Sequence, residues 1–284
     1  MTKPPWLKKR IPPLQDVQKV RLILEQTDLH TVCQEARCPN LGECFARGTA
    51  TFLILGRVCT RDCGFCAVEH GAPGPLDETE PERVAQAARK MGLHYVVITS
   101  VTRDDLPDGG ASFFAKTIQA IRALNPKIKV EVLIPDFKGD QNSLMTVLKE
   151  CPEILNHNVE TIPRLYPRVR LLADYERSLN LLKTSKDEYP HIPTKSGFML
   201  GFGETQEEVL GLLRDLREAG CDFLTIGQYL QPRQDRLPVV RFVPPEEFEE
   251  YKRLGEKMGF RAVASGPFVR SSFHAAQMYE NTNI

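Results

Sequence analysis

Long apolar runs are missing from this chain: nothing approaches the ~20 residues that a membrane-spanning helix requires. A net field is missing as well. Thirty-seven basic residues balance thirty-seven acidic ones, so neither nucleic acid nor an anionic membrane is offered a surface of opposite sign. The start, MTKPPWLKKRIPP, is basic but has no apolar h-region, which argues against a secretory signal. It is also too short before recognisable structure for a typical organelle transit peptide, so a cytoplasmic location is expected. Without export, a disulfide framework is not expected. Internal repeats, low-complexity tracts and strong interdomain linkers are absent.

What the chain does have is an uneven set of cysteines. There are eight in 284 residues, and six fall between Cys33 and Cys66. Crowded cysteines in a reducing compartment point to metal ligation or catalysis. The two outliers, Cys151 and Cys221, are expected to be inert buried thiols.

Around the cysteines the pattern alternates between strand and helix. A leading helix over Pro12–Thr27 would bury Val17, Val20, Leu22, Ile23 and Leu24. Strands are predicted at Thr51–Gly56, Tyr95–Val101, Lys129–Ile134, Ile154–Glu160, Ser196–Gly201, Phe223–Gln228 and Ala262–Ser265. Helices are predicted at Pro81–Met91, Ser112–Leu124, Ser143–Lys149, Tyr175–Thr184, Thr205–Ala219 and Pro244–Met258. This alternation predicts an α/β fold with a parallel sheet or β/α barrel. Polar clusters follow the strands: CTRDCGFC, TSVTRDDLPDGG, NHNVET, GFGET and IGQYLQP. In a barrel the C-terminal strand ends gather on one face, where chemistry sits.

The segment Cys59–Cys66 places cysteines as C-x3-C-x2-C. Three thiolates suit zinc, with His70 as a fourth ligand, or an iron–sulfur cube with one iron left open. An open iron would accept an amino group and a carboxylate. Upstream, Cys33, Cys38 and Cys44 form a second triad, C-x4-C-x5-C, again one ligand short. Core packing rarely needs three cysteines in a Pro/Gly-containing loop; a structural zinc borrowing a ligand is the alternative.

Other residues follow from the strand ends. Asn156, Asn158 and Glu160 would share one strand face by period two, where Asn158 and Glu160 suit ribose hydroxyls, unless the row faces outward. Thr99, Ser100, Arg103, Asp104 and Asp105 would meet a bound ligand, or serve as loop caps and an ion pair. Phe198, Met199, Leu200 and Phe202 would line an alkyl slot, or be plain core. Arg164, Arg168 and Arg170 would dock an acidic surface or a carboxylate, or be a solvated loop. Arg168, Leu200, Gln228 and Tyr229 complete the candidate cofactor contacts. His30, His94 and His191 show no partner pattern.

The first triad, with an aromatic residue before its last cysteine, resembles the radical S-adenosylmethionine (SAM) superfamily. The pairing of EARCPNLGEC with GTATFLILGRVCTRDCGFCAV is similar to the lipoyl synthases within it. The likeness continues through ITSVTRDDLPDGGA, NHNVETIPRLYPRVR, SGFMLGFGET, TIGQYLQP and VASGPFVRSSFHA, from about Thr31 to Ala276. It implies a partial (β/α)6 barrel over residues 49–260, an N-terminal extension over 1–48 and a C-terminal extension over 261–284. It implies two 4Fe–4S clusters. Cys59, Cys63 and Cys66 would hold the one that binds SAM and yields a 5′-deoxyadenosyl radical. Cys33, Cys38 and Cys44 would hold the auxiliary one, with a serine of RSSF as fourth ligand, Ser272 by motif position rather than Ser271.

The implied substrate is an octanoyl-lysine on a lipoyl carrier domain (a 2-oxoacid dehydrogenase E2 or a glycine cleavage H protein). It gains sulfur at carbons 6 and 8, one SAM consumed per insertion. A low-potential electron donor and an iron–sulfur cluster carrier are implied partners; nucleic acid and membrane are not. An alkoxide is a harder, poorer match for cluster iron than thiolate, so a serine ligand would release its iron readily and make the auxiliary cluster a sulfur donor. The chain departs from the family pattern at Phe273, in place of a tyrosine, and at Arg236, where a histidine is frequent. A biotin synthase-type inserter would have no use for the Cys33 triad, and a non-catalytic zinc or iron–sulfur scaffold is the reading from outside enzymology.

Overall fold

The computed structural model describes residues 2–9 and 12–282. Chain contacts divide it into two compact units: Arg10–Asp62 with Ala67–Leu155, and Met1–Lys9 with Cys63–Cys66 and Asn156–Ile284.

The first of these opens on helix α1 (Leu14–Gln26). Val17, Val20 and Leu24 recur at helical spacing and are buried, whereas Leu22, expected on the same face, is 53% exposed. Two residues along a helix is a turn of about 200°, which puts Leu22 opposite both Val20 and Leu24. The chain continues through β1 (His30–Thr31), α2 (Val32–Glu35), α3 (Leu41–Ala46), β2 (Thr51–Ile54), β3 (Val58–Cys59), β4 (Glu69–His70), α4 (Glu80–Met91), β5 (Tyr95–Ser100), α5 (Ala111–Leu124), β6 (Lys129–Leu133), α6 (Gln141–Leu148) and β7 (Ile154–Asn156).

β2, β5 and β6 are parallel neighbours, β7 follows β6, and the short β1 runs antiparallel beside β2. The run YVVITS lacks strict alternation because both faces of a parallel sheet are covered, and in KVEVL the alternating Glu131 is buried all the same. α4 is set by Pro81 in its first turn, acidic Glu80 and Glu82 at its N-terminus, Arg89 and Lys90 at its C-terminus, and a left-handed Gly92 cap. Glu80 is itself buried and accepts a hydrogen bond from the Leu55 amide at 2.7 Å, which fixes the end of β2 just before the Cys59 triad.

The other unit contains α7 (Tyr166–Val169), α8 (Tyr175–Glu188), β8 (Thr194–Leu200), α9 (Gln206–Glu218), β9 (Phe223–Gln228), α10 (Pro245–Lys257), β10 (Ala262–Gly266) and α11 (Ala275–Glu280). β8, β9 and β10 are consecutive and parallel. α9 starts with a reciprocal capping box between Thr205 and Glu208. Its buried Val209, Leu212, Leu213 and Leu216 join Leu182, Leu224, Ile226 and Phe248 in one core.

The α/β expectation is met by mostly parallel strands, and no pairing closes a ring among the described residues. Strand boundaries fall within two residues of those predicted, with one exception. The strand expected over Ile154–Glu160 stops at Asn156. Glu160 adopts φ +64° and returns as an isolated bridge to Phe198.

Candidate active site

Three short turns of one unit carry the upstream cysteines. Thr31 caps α2, its hydroxyl accepting from the Gln34 amide and donating to the Gln34 side chain at 2.7 Å. Cys33 lies within that turn. Arg37 then takes φ +50°, and the Cys38 amide donates to the Cys33 carbonyl at 3.0 Å, folding the chain back. Cys44 follows on α3. Cys33 is 5% exposed, and its thiol is pushed up to about 12 by burial, then by the neighbouring thiolates of Cys38 and Cys44. Cys38 and Cys44 thus lie near enough to Cys33 for their charge to act on it. Thiolates gathered in this way are what a cationic iron centre neutralises.

Cys59 sits on β3 in a loop stapled to the residues after β5. The Thr60 amide and hydroxyl both donate to the Thr102 carbonyl at 2.9 Å, and the Asp104 amide donates to the Thr60 hydroxyl at 3.0 Å. Two backbone amides point at the Cys59 sulfur, from Arg61 at 3.4 Å and Thr102 at 3.2 Å. Such N–H donors favour the more negative states of a sulfur ligand and tune cluster potential. Arg61 anchors the loop. Its Nε and Nη2 bind Asp104 at 2.6 and 2.9 Å, while Nη1 and Nη2 bind Asp136 at 3.0 and 2.7 Å. Burial opposes its charge, but the two carboxylates outweigh that and raise its pKa.

Cys63 and Cys66 belong to the other unit, joined by a Cys66 amide bond to the Cys63 carbonyl at 3.0 Å. Between them Gly64 donates to the Val169 carbonyl and accepts from the Leu237 amide, both at 3.0 Å. A Cβ here would lie 2.8 Å from the Arg168 carbonyl and from a Leu237 methyl, so only glycine lets the loop approach this closely.

No three His, Cys, Asp or Glu side chains among the described residues converge as ligands of a single metal ion. Cubane ligands are spread further apart, since each sulfur takes its own iron. His70 pairs with Cys59 in backbone register, but its imidazole is turned to Asp62 at 3.3 Å.

The residues following β5 divide into committed and open groups. Thr99 donates to the Leu133 carbonyl at 3.0 Å. Arg103 spends its guanidinium on Asp105 and the Leu55 and Gly74 carbonyls, and it holds the Asp105 carboxyl below the usual range. Asp104 is taken by Arg61. Ser100 is different: its hydroxyl oxygen is shut from solvent with no partner among the described residues. An orphaned buried hydroxyl of this kind suits a ligand.

In the second unit, Asn158 and Ser271 exchange hydrogen bonds across 113 residues of chain. The Asn158 amide nitrogen donates to the Ser271 hydroxyl at 2.6 Å and to Glu160 at 2.9 Å, and the Ser271 hydroxyl donates to the Asn158 carbonyl oxygen at 2.9 Å. Burial raises the Glu160 pKa, against the opposing pull of Arg170, Asn158 and Arg270. Arg170 is turned inward, donating to the Asn158 backbone carbonyl at 2.9 Å, the Tyr166 hydroxyl and Ser178. Burial works against its charge, but Tyr166, Glu160 and Cys63 outweigh this and raise its pKa.

The segment bearing Ser271 and Ser272 lies against β9. A Cβ on Gly227 would come within 2.2 Å of the Val269 carbonyl oxygen. The same segment presents Phe268 and Phe273 to the Lys9 ammonium, 4.8 and 5.1 Å from the ring centres. Phe273, lacking a phenol hydroxyl, contributes its ring face there.

Gln228 donates its amide to the Leu200, Tyr229 and Arg241 carbonyls and accepts from the Val243 amide, which uses both ends of the side chain. Tyr229 stacks on Phe202 at 4.2 Å and donates to the Leu237 carbonyl at 2.6 Å. Phe198, Leu200 and Phe202 are core residues, with Met199 packed at its edge. Arg164 is held by Glu208 at 2.6 Å and the Gly203 carbonyl, while Arg168 is exposed. Arg236 is buried. Cys221 is buried, with its thiol pushed up to about 12 by burial; Cys151 is exposed, because Pro152 and a φ of +48° turn the chain outward there.

Two partners escaped the sequence reading. Asp136 ends β6 in IPDFKGD, a sixth polar strand end of the same type as those singled out. The Asn158–Ser271 pair has no local signal at all, since it joins residues far apart in the chain.

A family model described as the radical SAM superfamily matches residues 53–216, and one described as the N-terminal domain of lipoyl synthase matches residues 1–38. A lipoyl synthase of Caldanaerobacter subterraneus subsp. tengcongensis is 59% identical over 273 residues, 96% of this chain and 95% of that one. One of Rubrobacter xylanophilus is 56% identical over 279 residues, 98% of this chain and 87% of that one. Among solved structures, Streptococcus suis SuiB bound to precursor peptide SuiA aligns with a TM-score of 0.60 at 13% identity, over 93% of this chain and 56% of that one. HydG, a maturase of FeFe hydrogenase, aligns with a TM-score of 0.59 at 14% identity, over 88% and 64%. These two are likenesses of fold.

Proposed function

The chain belongs to the lipoyl synthase family of the radical SAM superfamily, and from that premise we propose which of its residues perform each part of the reaction. The activity is insertion of sulfur at carbons 6 and 8 of a protein-bound octanoyl-lysine, with SAM and 4Fe–4S clusters as cofactors. When bound, one cluster supplies the electron that cleaves SAM and the other supplies the sulfur.

Cys59, Cys63 and Cys66 hold the SAM-binding cluster, and the two amides aimed at the Cys59 sulfur fix that ligand. Cys33, Cys38 and Cys44 hold the auxiliary cluster, and Ser272 completes it. The observation that carries this reading is the fold of the upstream segment, where short helical turns bear Cys33 and Cys44 and the Cys38 amide bonds back to the Cys33 carbonyl at 3.0 Å. Ser272 is assigned as the oxygen ligand by its place in the RSSF motif, and Ser271 exchanges hydrogen bonds with Asn158. Asn158 and Glu160 receive the ribose hydroxyls, and Ser100 offers its unpaired hydroxyl to the methionine end. Thr99, Arg103, Asp104, Gln228 and Tyr229 act by holding the loops and strand ends in place. Leu200 contributes an apolar wall, and Arg168 is the exposed cation available to a carboxylate or an acidic carrier.

The substrate is an octanoylated protein; its identity as an E2 or H-protein carrier domain is part of the proposal, as are a low-potential electron donor and a carrier that rebuilds the auxiliary cluster. The domain reading, with an extension over 1–48, a catalytic body over 49–260 and a tail over 261–284, is proposed on the same basis. No helix among the described residues is long and apolar enough to cross a membrane.

The test is anaerobic incubation of the reconstituted protein with an octanoyl-lysine peptide, SAM and a reductant. Mass spectrometry should show the gain of two sulfurs alongside 5′-deoxyadenosine. SAM cleavage without sulfur gain would reject the sulfur-donor assignment while keeping the superfamily. Replacing Ser272 with Cys should leave a cluster but depress insertion, and full turnover by that variant would refute the lability of an oxygen-held iron.

A further inference from the structure

The stretch Thr49–Ala50–Thr51, which leads into β2, touches both ends of the upstream cysteine triad, and all of these residues belong to one unit. The Thr49 amide and hydroxyl donate to the Cys44 backbone carbonyl at 2.9 and 3.1 Å. Thr51 is buried, and Thr31 stands opposite Phe52 in the register of β1 and β2, so the turn that carries Cys33 passes beside it. There the Thr51 amide and hydroxyl both hydrogen-bond to the Cys33 sulfur. Of the upstream thiols Cys33 is the buried one, while Cys38 and Cys44 are half-buried. Water cannot solvate a charge on Cys33, so Thr51 supplies the donors that water would.

On the reading that Cys33, Cys38 and Cys44 ligate the auxiliary cluster, we propose that Thr51 is a positioning residue for it, whose hydroxyl holds the Cys33 sulfur and raises the cluster's reduction potential. Hydrogen bonds to a ligand sulfur favour the more negative state of a cluster, and partners of this kind also keep the ligand in its bonding direction. The Cys59 sulfur receives its donors from two backbone amides. Cys33 relies in part on a side-chain hydroxyl, so its donor set changes with a single substitution. Thr49 differs in kind. Its bonds reach a carbonyl and not a sulfur, so it fixes backbone without acting on the charge of the cluster.

The experiment uses the full chain with Cys59, Cys63 and Cys66 all replaced by Ala, reconstituted anaerobically so that it holds the auxiliary cluster alone. A redox titration followed by electron paramagnetic resonance gives the potential, and a colorimetric chelator gives the rate of iron loss. Thr51→Val keeps the shape of the side chain and removes the hydroxyl. It should move the potential to a more negative value and weaken iron retention roughly ten- to hundredfold, the usual cost of losing a partner that orients a ligand. Thr51→Ser should restore both. Thr49→Val should leave the potential where it is. A native potential in Thr51→Val overturns the proposal, even with faster iron loss, because a hydroxyl that only supports the fold lowers the melting temperature of the cluster-free chain and leaves the potential alone. An equal shift in Thr49→Val overturns it too, since the effect then comes from loosening of the stretch. Failure of the ligand reading looks different. If the background variant takes up no iron, or if adding Cys33→Ala leaves its iron uptake unchanged, the cluster assignment falls and the proposal with it.

Discussion

Replacing Arg61 with Met removes the charge that joins Asp104 and Asp136 behind the Cys59 loop. The native guanidinium side chain is 4% exposed, that of Asp136 is fully buried and that of Asp104 is 19% exposed. Met preserves most of the volume, so lost packing is minor. What remains is a buried carboxylate with its main partner gone, and breaking a buried ion pair from one side costs about 3–5 kcal/mol. With a denaturant slope on the order of 3 kcal/mol per molar urea, the midpoint should fall by about 1–1.7 M. Arg61→Lys should fall in between, because a single ammonium cannot serve both carboxylates in bidentate fashion. Urea titration of the cluster-free chain followed by circular dichroism measures the loss, and alkylation of Cys59 reports whether its loop opens with it. Adding Asp104→Asn and Asp136→Asn to Arg61→Met should recover much of the stability. A loss below about 1 kcal/mol for Arg61→Met, or no recovery in the triple variant, would refute the view that this buried ion triad holds the ligand loop.

Three further outcomes follow from the geometry. Gly227→Ala drives a Cβ into the Val269 carbonyl; overpacking of this kind costs about 1–3 kcal/mol, and trypsin should cut faster at Arg270. Burial lifts the folded-state pKa of Glu160 above its ordinary 4.5, so its contribution to stability is full below pH 4.5 and is lost as pH rises through the folded value; Glu160→Gln should melt higher than the native chain at pH 8 and level with it at pH 4. Replacing both Cys38 and Cys44 with Ala should reduce bound iron from about eight to about four per reconstituted chain, while Cys151→Ala, altering an exposed thiol, should leave it unchanged.

The sequence pattern located every strand of three or more residues and every α-helix of eight or more among the described residues, because parallel strands and their covering helices write long apolar signals, and it missed the short β1, β3, β4, α2, α3, α7 and α11. It failed where a local signal met a tertiary demand. Asn156, Asn158 and Glu160 alternate as a strand should, yet the backbone leaves extended geometry so that Glu160 can occupy its φ of +64°. Leu22 matched the composition of an apolar face but not its angle. At the candidate site, the cysteines stood out because six of the eight fall between Cys33 and Cys66. Gln228 and Tyr229 stood in a motif and looked like contacts, while their side chains hold backbone carbonyls. Ser271 reaches Asn158 only in three dimensions, and no periodicity encodes that meeting.

The clasp of Lys9 on Phe268 and Phe273 has a consequence for synthesis. The unit that contains Lys9 draws its other residues from Cys63–Cys66 and from Asn156 onward. A ribosome adding about 5–20 residues per second leaves Lys9 waiting tens of seconds for its aromatic partners. The upstream thiols emerge early in that interval, well before the tail that carries Ser271 and Ser272 exists. A nascent chain can therefore expose Cys33, Cys38 and Cys44 before the segment that carries Ser271 and Ser272 has been made.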